Sequence, residues 1–327
     1  MSQLYSFRGR SSEKTLELSA LVLLTLQNTA LVLLTKFSYR ESATSYVVST
    51  VIFFSEFLKL VVSCSLVVVF DGLEILKAAF RDIPTGSLRL SLPSVLYVLQ
   101  NNLLFEGIRL LSPTVYISCS QSKILTSALF GTIILKTRIT RKQFVSLCML
   151  VVGMIMVQIE HELIRGDIVT RSESPFKGVV LVFTASMTSG FAGAYLEKMY
   201  KEVAVDGQSH SIWYRNTQLA CFSVPFAFFT SYWQDGARVI SNGVLLGYDY
   251  VVVTIIVLQA VGGLVVAAVM RYASNVMKCF AVSLSICNCT VANAFLFGDG
   301  KLNMRVHQAL GVALVIGATF AYAGKKT

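Results

Sequence analysis

Long apolar runs separated by short polar loops follow one another along most of the 327-residue chain. Each run is about 20 residues long and lacks strict alternation, which is typical of a membrane-spanning helix rather than a membrane-spanning strand. We therefore predict an all-α polytopic membrane protein with ten transmembrane helices, at about residues 16 to 36, 45 to 70, 88 to 109, 112 to 135, 141 to 158, 175 to 198, 211 to 232, 249 to 270, 275 to 297 and 305 to 324.

Composition agrees with a chain that lies in the lipid bilayer. Hydrophobic residues make up 54% of the sequence and charged residues 14%, with a mean hydropathy of +0.66, whereas about a quarter of the residues in soluble domains are charged. The formal net charge is +10, but the positive-inside rule explains the basic loops without a nucleic-acid partner and predicts that both termini are cytosolic. The cysteines and histidines form no metal-site or disulfide pattern, and no cofactor is expected.

Ten spans divide into two groups of five, so we predict a single transmembrane domain over residues 1–327 with repeat one at about 16–158 and repeat two at about 175–324. Because five is odd, the second group would cross the membrane upside down relative to the first. Inverted repeats of this kind are typical of transporters that bind their ligand near the midplane. A weak internal similarity supports the division, since Lys123 (SCSQSKILTSALF) and Lys278 (NVMKCFAVSLSI) each fall in the fourth span of a half.

The third and fourth predicted spans carry a cluster of polar side chains within apolar sequence. The cluster includes Tyr97, Gln100, Asn101, Asn102, Tyr116, Gln121 and Lys123. Such groups are costly in hydrocarbon, so they should face a water-filled cavity or the interior of the helix bundle. Because Lys123 is the only charge of the cluster, the simplest ligand is an anion such as a phosphate, and a second ammonium group from Lys278 would suit a diphosphate.

Three charged residues within the predicted spans have plainer interpretations as well. Lys278 lies near the start of its predicted span, where its side chain could extend to the membrane interface. Glu56 and Lys59 (FFSEFLKL) lie three residues apart on one helical face, where they can neutralise each other. An ion pair that fixes helix packing and a gating role are equally supported for these two residues.

Glycine pairs and an asparagine complete the set of candidate residues. Gly190 and Gly193 (SGFAGAY) and Gly262 and Gly263 (AVGGL) most often indicate close helix approach, which is also compatible with room for a substrate. Asn216 (WYRNTQ) opens the seventh predicted span, and an inward-facing amide there could contact a ligand.

Several long segments resemble one family of transporters over essentially the whole chain. The segments are LPSVLYVLQNNLLF, QSKILTSALF, SGFAGAYLEKMYK, IWYRNTQL and LQAVGGLVVAAVMRYASNVMKCFAVSLSI. They are similar to the nucleotide-sugar transporters of the drug/metabolite transporter superfamily, in the branch of the UDP-galactose, UDP-N-acetylglucosamine and CMP-sialic acid transporters. The resemblance implies an antiporter of the Golgi membrane, or alternatively the ER membrane, that imports a nucleotide sugar and returns the nucleoside monophosphate by alternating access. A homodimer is one alternative for its assembly.

The resemblance also implies roles for particular residues. Lys123 and Lys278 fall on the motif positions that contact phosphate in the family. The family's central-cavity motifs correspond here to Tyr97, Asn101, Asn102, Tyr116 and Gln121. Asn216 matches an asparagine that lies near the nucleotide base in the family. The glycines that line the sugar region in the family match Gly190, Gly193, Gly262 and Gly263.

Departures from the family pattern affect the choice of sugar. The sequence has Ser120-Gln121-Ser122-Lys123 in place of Y-Q-L-K, and Cys279 in place of a glycine. LQAVGGLVVAAV and FAVSLSI look closer to the UDP-sugar members, so we predict that UDP-galactose, UDP-N-acetylglucosamine or both exchange for UMP. A CMP-sialic acid/CMP antiporter is the alternative. A membrane-embedded glycosyl- or phosphotransferase is the alternative from another class, but it needs carboxylate pairs or a metal, and no D-x-D occurs.

Overall fold

The computed structural model describes residues 2–41, 46–163, 175–202, 211–296 and 305–324, and every regular element within these ranges is a helix. In chain order the helices are α1 (Ser2–Glu41), α2 (Val48–Phe70), α3 (Leu73–Arg81), α4 (Ile83–Leu110), α5 (Pro113–Ser120), α6 (Ser122–Leu135), α7 (Arg141–Leu163), α8 (Pro175–Glu202), α9 (Ile212–Asn242), α10 (Tyr250–Tyr272), α11 (Asn275–Leu296) and α12 (Val306–Ala323).

Seven helices in the described ranges are long and apolar enough to cross a bilayer. They are α1, α2, α7, α8, α10, α11 and α12, and they match the first, second, fifth, sixth, eighth, ninth and tenth predicted spans. The prediction of an all-helical protein with several membrane-spanning helices is therefore confirmed for the described residues.

The other three predicted spans are helical, but each is longer or more interrupted than predicted. The third lies in α4 and the seventh in the 31-residue α9, each of which contains a proline. The fourth is divided at Gln121 into α5 and α6, because the Ile124 N–H bonds to the Gln121 carbonyl, three residues back, at 3.0 Å. The short helix α3 lies in a region that the hydrophobic pattern predicted as a loop.

The helices form two compact units, each drawing on both halves of the sequence. The first unit comprises residues 1–94 and 199–274, and it contains α1, α2, α3, α9 and α10. The second unit comprises residues 95–198 and 275–327, and it contains most of α4, together with α5, α6, α7, most of α8, α11 and α12. Neither unit coincides with one predicted repeat.

In the first unit, α2 and α9 pack antiparallel and are joined by polar contacts near both ends. At the start of α2, the Ser49 hydroxyl donates to the Asp235 carboxylate at 2.6 Å. Near the end of α2, the Asn216 amide donates to the Ser63 hydroxyl at 3.3 Å. Since Asn216 is the fifth residue of α9 and Asp235 lies near its end, the two helices run in opposite directions.

In the second unit, α7 and α12 pack with a glycine from each helix at their crossing. They run antiparallel, because Gly153 also meets Val315, one turn after Gly311, while Gly311 meets Val157, one turn after Gly153. A Cβ atom added at Gly153 would lie 3.0 Å from the Gly311 carbonyl oxygen, and one added at Gly311 would lie 2.9 Å from the Gly153 carbonyl oxygen. The contact is thus reciprocal. A core that includes Leu147, Leu150 and Phe280 packs beside it.

We expect Gly311→Ala to lower the apparent melting temperature of the purified protein, because overpacking a tight contact costs about 1–3 kcal/mol. Gly317→Ala is the matched control on the same helix, since a Cβ atom there meets no heavy atom within 4 Å. The control should leave the melting temperature unchanged or higher, because alanine is the better helix former. Equal melting temperatures for the two variants would contradict this packing.

Candidate functional site

Lys123 and Lys278 both lie in the second unit, each in the first turn of its helix. Lys123 is the second residue of α6, and Lys278 is the fourth residue of α11. These two helices pack against each other, and the Cys279 sulfur lies 3.8 Å from the Ser127 hydroxyl oxygen. Ser127 is one turn beyond Lys123 and Cys279 directly follows Lys278, so this helix contact lies within about one turn of both lysines.

Neither lysine is neutralised by the part of the protein that the structure describes. The Lys123 side chain is exposed and Lys278 is half-buried. Ion pairs such as Glu56–Lys59 and Glu74–Lys77 do occur among the described residues, but neither Lys123 nor Lys278 has a carboxylate partner there. Two such groups on adjoining helices can donate charge-assisted hydrogen bonds to an anion with several oxygens, such as a phosphate or diphosphate.

Other members of the predicted cluster lie in the same unit. Gln121 is buried at the junction of α5 and α6, while Tyr97 on α4 and Tyr116 on α5 are half-buried. The side-chain oxygen of Gln100 is buried and has no hydrogen-bond partner among the described residues, so this oxygen can accept a hydrogen bond from a ligand. Asn101 and Asn102 belong to α4, but their side chains fall outside the described residues.

Gly190 and Gly193 bring α8 close to both lysine-bearing helices. A Cβ atom at Gly190 would lie 2.6 Å from the Thr126 backbone, and the Thr126 hydroxyl donates to the Ser186 carbonyl of α8 at 2.7 Å. The Asn275 side chain occupies the space beside Gly193. The contacts occur three residues after Lys123 and three residues before Lys278, so both glycines act in helix packing near the candidate site.

Gly262 and Gly263 lie in the first unit, where each accommodates a polar side chain. A Cβ atom at Gly262 would lie 2.5 Å from the Gln27 amide nitrogen, which donates to a backbone carbonyl of α10 at 3.0 Å. At Gly263, the Lys59 Cδ atom would lie 2.7 Å away, and the Lys59 ammonium group pairs with Glu56. The ion pair and Gly263, which the sequence presents as separate features, therefore form one contact between α2 and α10, while Gly262 packs against Gln27 of α1.

Asn216 also lies in the first unit, and both ends of its buried amide make hydrogen bonds. The Tyr200 hydroxyl donates to the Asn216 oxygen at 3.0 Å, and the Asn216 nitrogen donates to Ser63. The amide thus ties α2, α8 and α9 together in this structure, and its contact with a base stays a prediction.

Sequence reasoning did not single out Gln27 or Glu197 as functional candidates. Gln27 is an amide in the middle of the first apolar run, which was an available signal. Glu197 is a buried carboxylate, and its Oε2 atom accepts from the Asn275 backbone N–H at 2.7 Å. The sequence feature that could have indicated Glu197 is its position four residues after Gly193, one helical turn along the same face.

These apolar helices, with polar and charged side chains inside the spans, define a polytopic helical membrane protein. A family model described as nucleotide-sugar transporter matches residues 12–323. The UDP-N-acetylglucosamine transporter of Mus musculus is 38% identical over 315 residues, which cover 93% of this chain and 94% of that protein. A UDP-galactose/UDP-N-acetylglucosamine transporter of Caenorhabditis elegans is 34% identical, covering 98% of this chain and 86% of that protein. The chain belongs to the nucleotide-sugar transporter family.

This membership confirms the predicted class of transporter over the alternative of a membrane-embedded transferase. The fold of the chain is also similar to that of a solved structure described only as the crystal structure of a protein. The TM-score is 0.61, and the match covers 97% of this chain and 100% of that chain. At 11% identity, this likeness concerns the fold alone.

The Glu56–Lys59 pair yields a test that separates packing from gating. Lys59→Met keeps an apolar stem beside Gly263 but leaves Glu56 without its partner, so we expect a lower melting temperature than in the wild type. Replacing both charges, in Glu56→Gln/Lys59→Met, should restore most of the stability, because an uncompensated charge costs more than the absence of a pair.

The outcome is measured by thermal unfolding and transport on the same preparations. Restored stability with lost transport would assign the pair a gating role, and restoration of both would assign it to packing. A double variant as unstable as Lys59→Met alone would contradict the compensation argument.

Proposed function

We propose that the chain is a Golgi antiporter that carries UDP-N-acetylglucosamine, UDP-galactose or both into the lumen in exchange for UMP. The observation that carries this proposal is the pair of ammonium groups, Lys123 and Lys278, on adjoining helices without a carboxylate partner among the described residues. The names of the Mus musculus and Caenorhabditis elegans relatives support UDP-sugars as the substrates. Both termini are cytosolic in this proposal, which follows from the distribution of Lys and Arg.

The lysine pair explains why the two fluxes would be coupled. UDP-sugar and UMP both carry phosphate, so each can neutralise the ammonium groups while the protein changes between its inward-open and outward-open states. An empty site with two uncompensated positive charges makes that change costly within the membrane. Exchange therefore proceeds without an ion gradient or ATP.

We further propose that the chain has ten spans in two inverted repeats, about 16–158 and 175–324. Three helix pairings support this arrangement: α2 with α9, α6 with α11, and α7 with α12. Each joins a predicted span to the one five positions later, and each lies within one compact unit. Antiparallel packing of α2 with α9 and of α7 with α12 is what inversion requires, and the reciprocal contact of Gly153 with Gly311 is expected beside a local two-fold axis.

The substrate is tested with proteoliposomes that are preloaded with UMP and offered labelled nucleotide sugars one at a time. We expect uptake of UDP-N-acetylglucosamine or UDP-galactose, no uptake of CMP-sialic acid, and no dependence on a sodium or proton gradient. Uptake that requires such a gradient, or uptake of CMP-sialic acid alone, would contradict the proposal.

Removal of either ammonium group tests the site. Lys123→Ala and Lys278→Ala should each weaken UMP binding about 10- to 100-fold, because a hydrogen bond to a charged group contributes about 1.5–3 kcal/mol. Arg138→Ala, in the exposed loop after α6, is the control for loss of one positive charge and should bind UMP normally. Wild-type binding by either lysine variant, measured on folded protein, would contradict the assignment of a paired-lysine site.

A further inference from the structure

The carboxylate of Glu197 holds the beginning of the helix that carries Lys278. Glu197 lies on α8 and is 2% exposed. Its Oε2 atom accepts a hydrogen bond from the backbone N–H of Asn275, the first residue of α11, at 2.7 Å. The first N–H groups of a helix have no partner within the helix, and the partial positive charge at this end favours a carboxylate.

A second contact from α8 fixes the same turn. Gly193 lies one turn before Glu197, and the Asn275 side chain fills the space where a Cβ atom of residue 193 would be. Asn275 is 1% exposed, yet neither its side-chain oxygen nor its nitrogen makes a hydrogen bond within the described residues. Asn275 is therefore held by packing against Gly193 and by the hydrogen bond from its backbone N–H to Glu197. Its side-chain amide contributes no hydrogen bond within the described residues.

We propose that Glu197 is a positioning residue for Lys278, a role that rests on the proposed function of that lysine. Lys278 follows Asn275 by three residues, so it belongs to the turn that Glu197 anchors. The carboxylate sets the position and direction of this turn, and through it the position of the ammonium group. Glu197 itself does not contact the substrate.

The test is a double-mutant cycle on the purified full-length chain, with UMP affinity as the measurement. Glu197→Ala should weaken UMP binding about tenfold, because a displaced Lys278 ammonium group would lose its hydrogen bond to the phosphate of UMP. A tenfold change is what the loss of one hydrogen bond to a charged group produces. In a Lys278→Ala background, the same substitution should cause little further loss, because residues that act through one another are not additive. Glu197→Gln retains an acceptor oxygen and should bind UMP with intermediate affinity.

Two further variants separate positioning from general destabilisation. Gly193→Ala places a Cβ atom where the Asn275 side chain packs, so it disturbs the same turn without changing Glu197. It should therefore weaken UMP binding in the wild-type background and much less in the Lys278→Ala background. It also serves in place of Glu197→Ala if that variant fails to fold. Lys198→Ala changes the exposed neighbour of Glu197 and should leave UMP affinity unchanged.

Each remaining outcome bears on a different part of the proposal. Equal losses from Glu197→Ala in both backgrounds would overturn the positioning role. Normal binding by Glu197→Ala, with weak binding by Lys278→Ala, would overturn that role and leave the phosphate site intact. Normal binding by Lys278→Ala would overturn the phosphate site and the positioning role together.

Discussion

Hydrocarbon offers no hydrogen bonds, so polar groups inside a membrane protein must be satisfied by the protein itself or by something that it binds. Many polar side chains in the described spans follow this rule. The Thr25 hydroxyl donates to the carbonyl of Leu21 one turn earlier at 2.9 Å, and Glu56 pairs with Lys59. Lys123 and Lys278 have no such carboxylate partner in the part of the chain that the structure describes, and this contrast supports a ligand as the partner of their charges.

Glycines in this protein make space for polar side chains to lie between helices. Gly190, Gly193, Gly262 and Gly263 each lie against a polar residue of another helix, namely Thr126, Asn275, Gln27 and Lys59, respectively. The sequence left two interpretations of these glycines, close packing and contact with the sugar. The contacts support the first directly, and in the second unit they also fix the helices that carry the two lysines. Packing and construction of the candidate site are therefore linked.

Seven membrane helices could be predicted from the sequence because a run of about 20 apolar residues is a local signal. The division of the fourth span at Gln121 could not, because polar residues such as Ser120, Gln121 and Ser122 are compatible with an unbroken helix and the interruption is a single tightened turn. The hydrogen bond from Asn275 to Glu197 joins residues 78 positions apart, and the compact units mix helices from both halves. Neither the periodicity of one segment nor the charge of one loop contains such long-range information. Lys123 stood out from sequence because a charge within an apolar run is conspicuous.

A structure of the full-length protein with bound UMP tests the central claim most directly. The account predicts phosphate oxygens about 2.7–2.9 Å from the Nζ atoms of both Lys123 and Lys278, the length of a charge-assisted hydrogen bond. UMP bound away from these two helices, or either ammonium group directed into lipid while the phosphate is held by other residues, would contradict it.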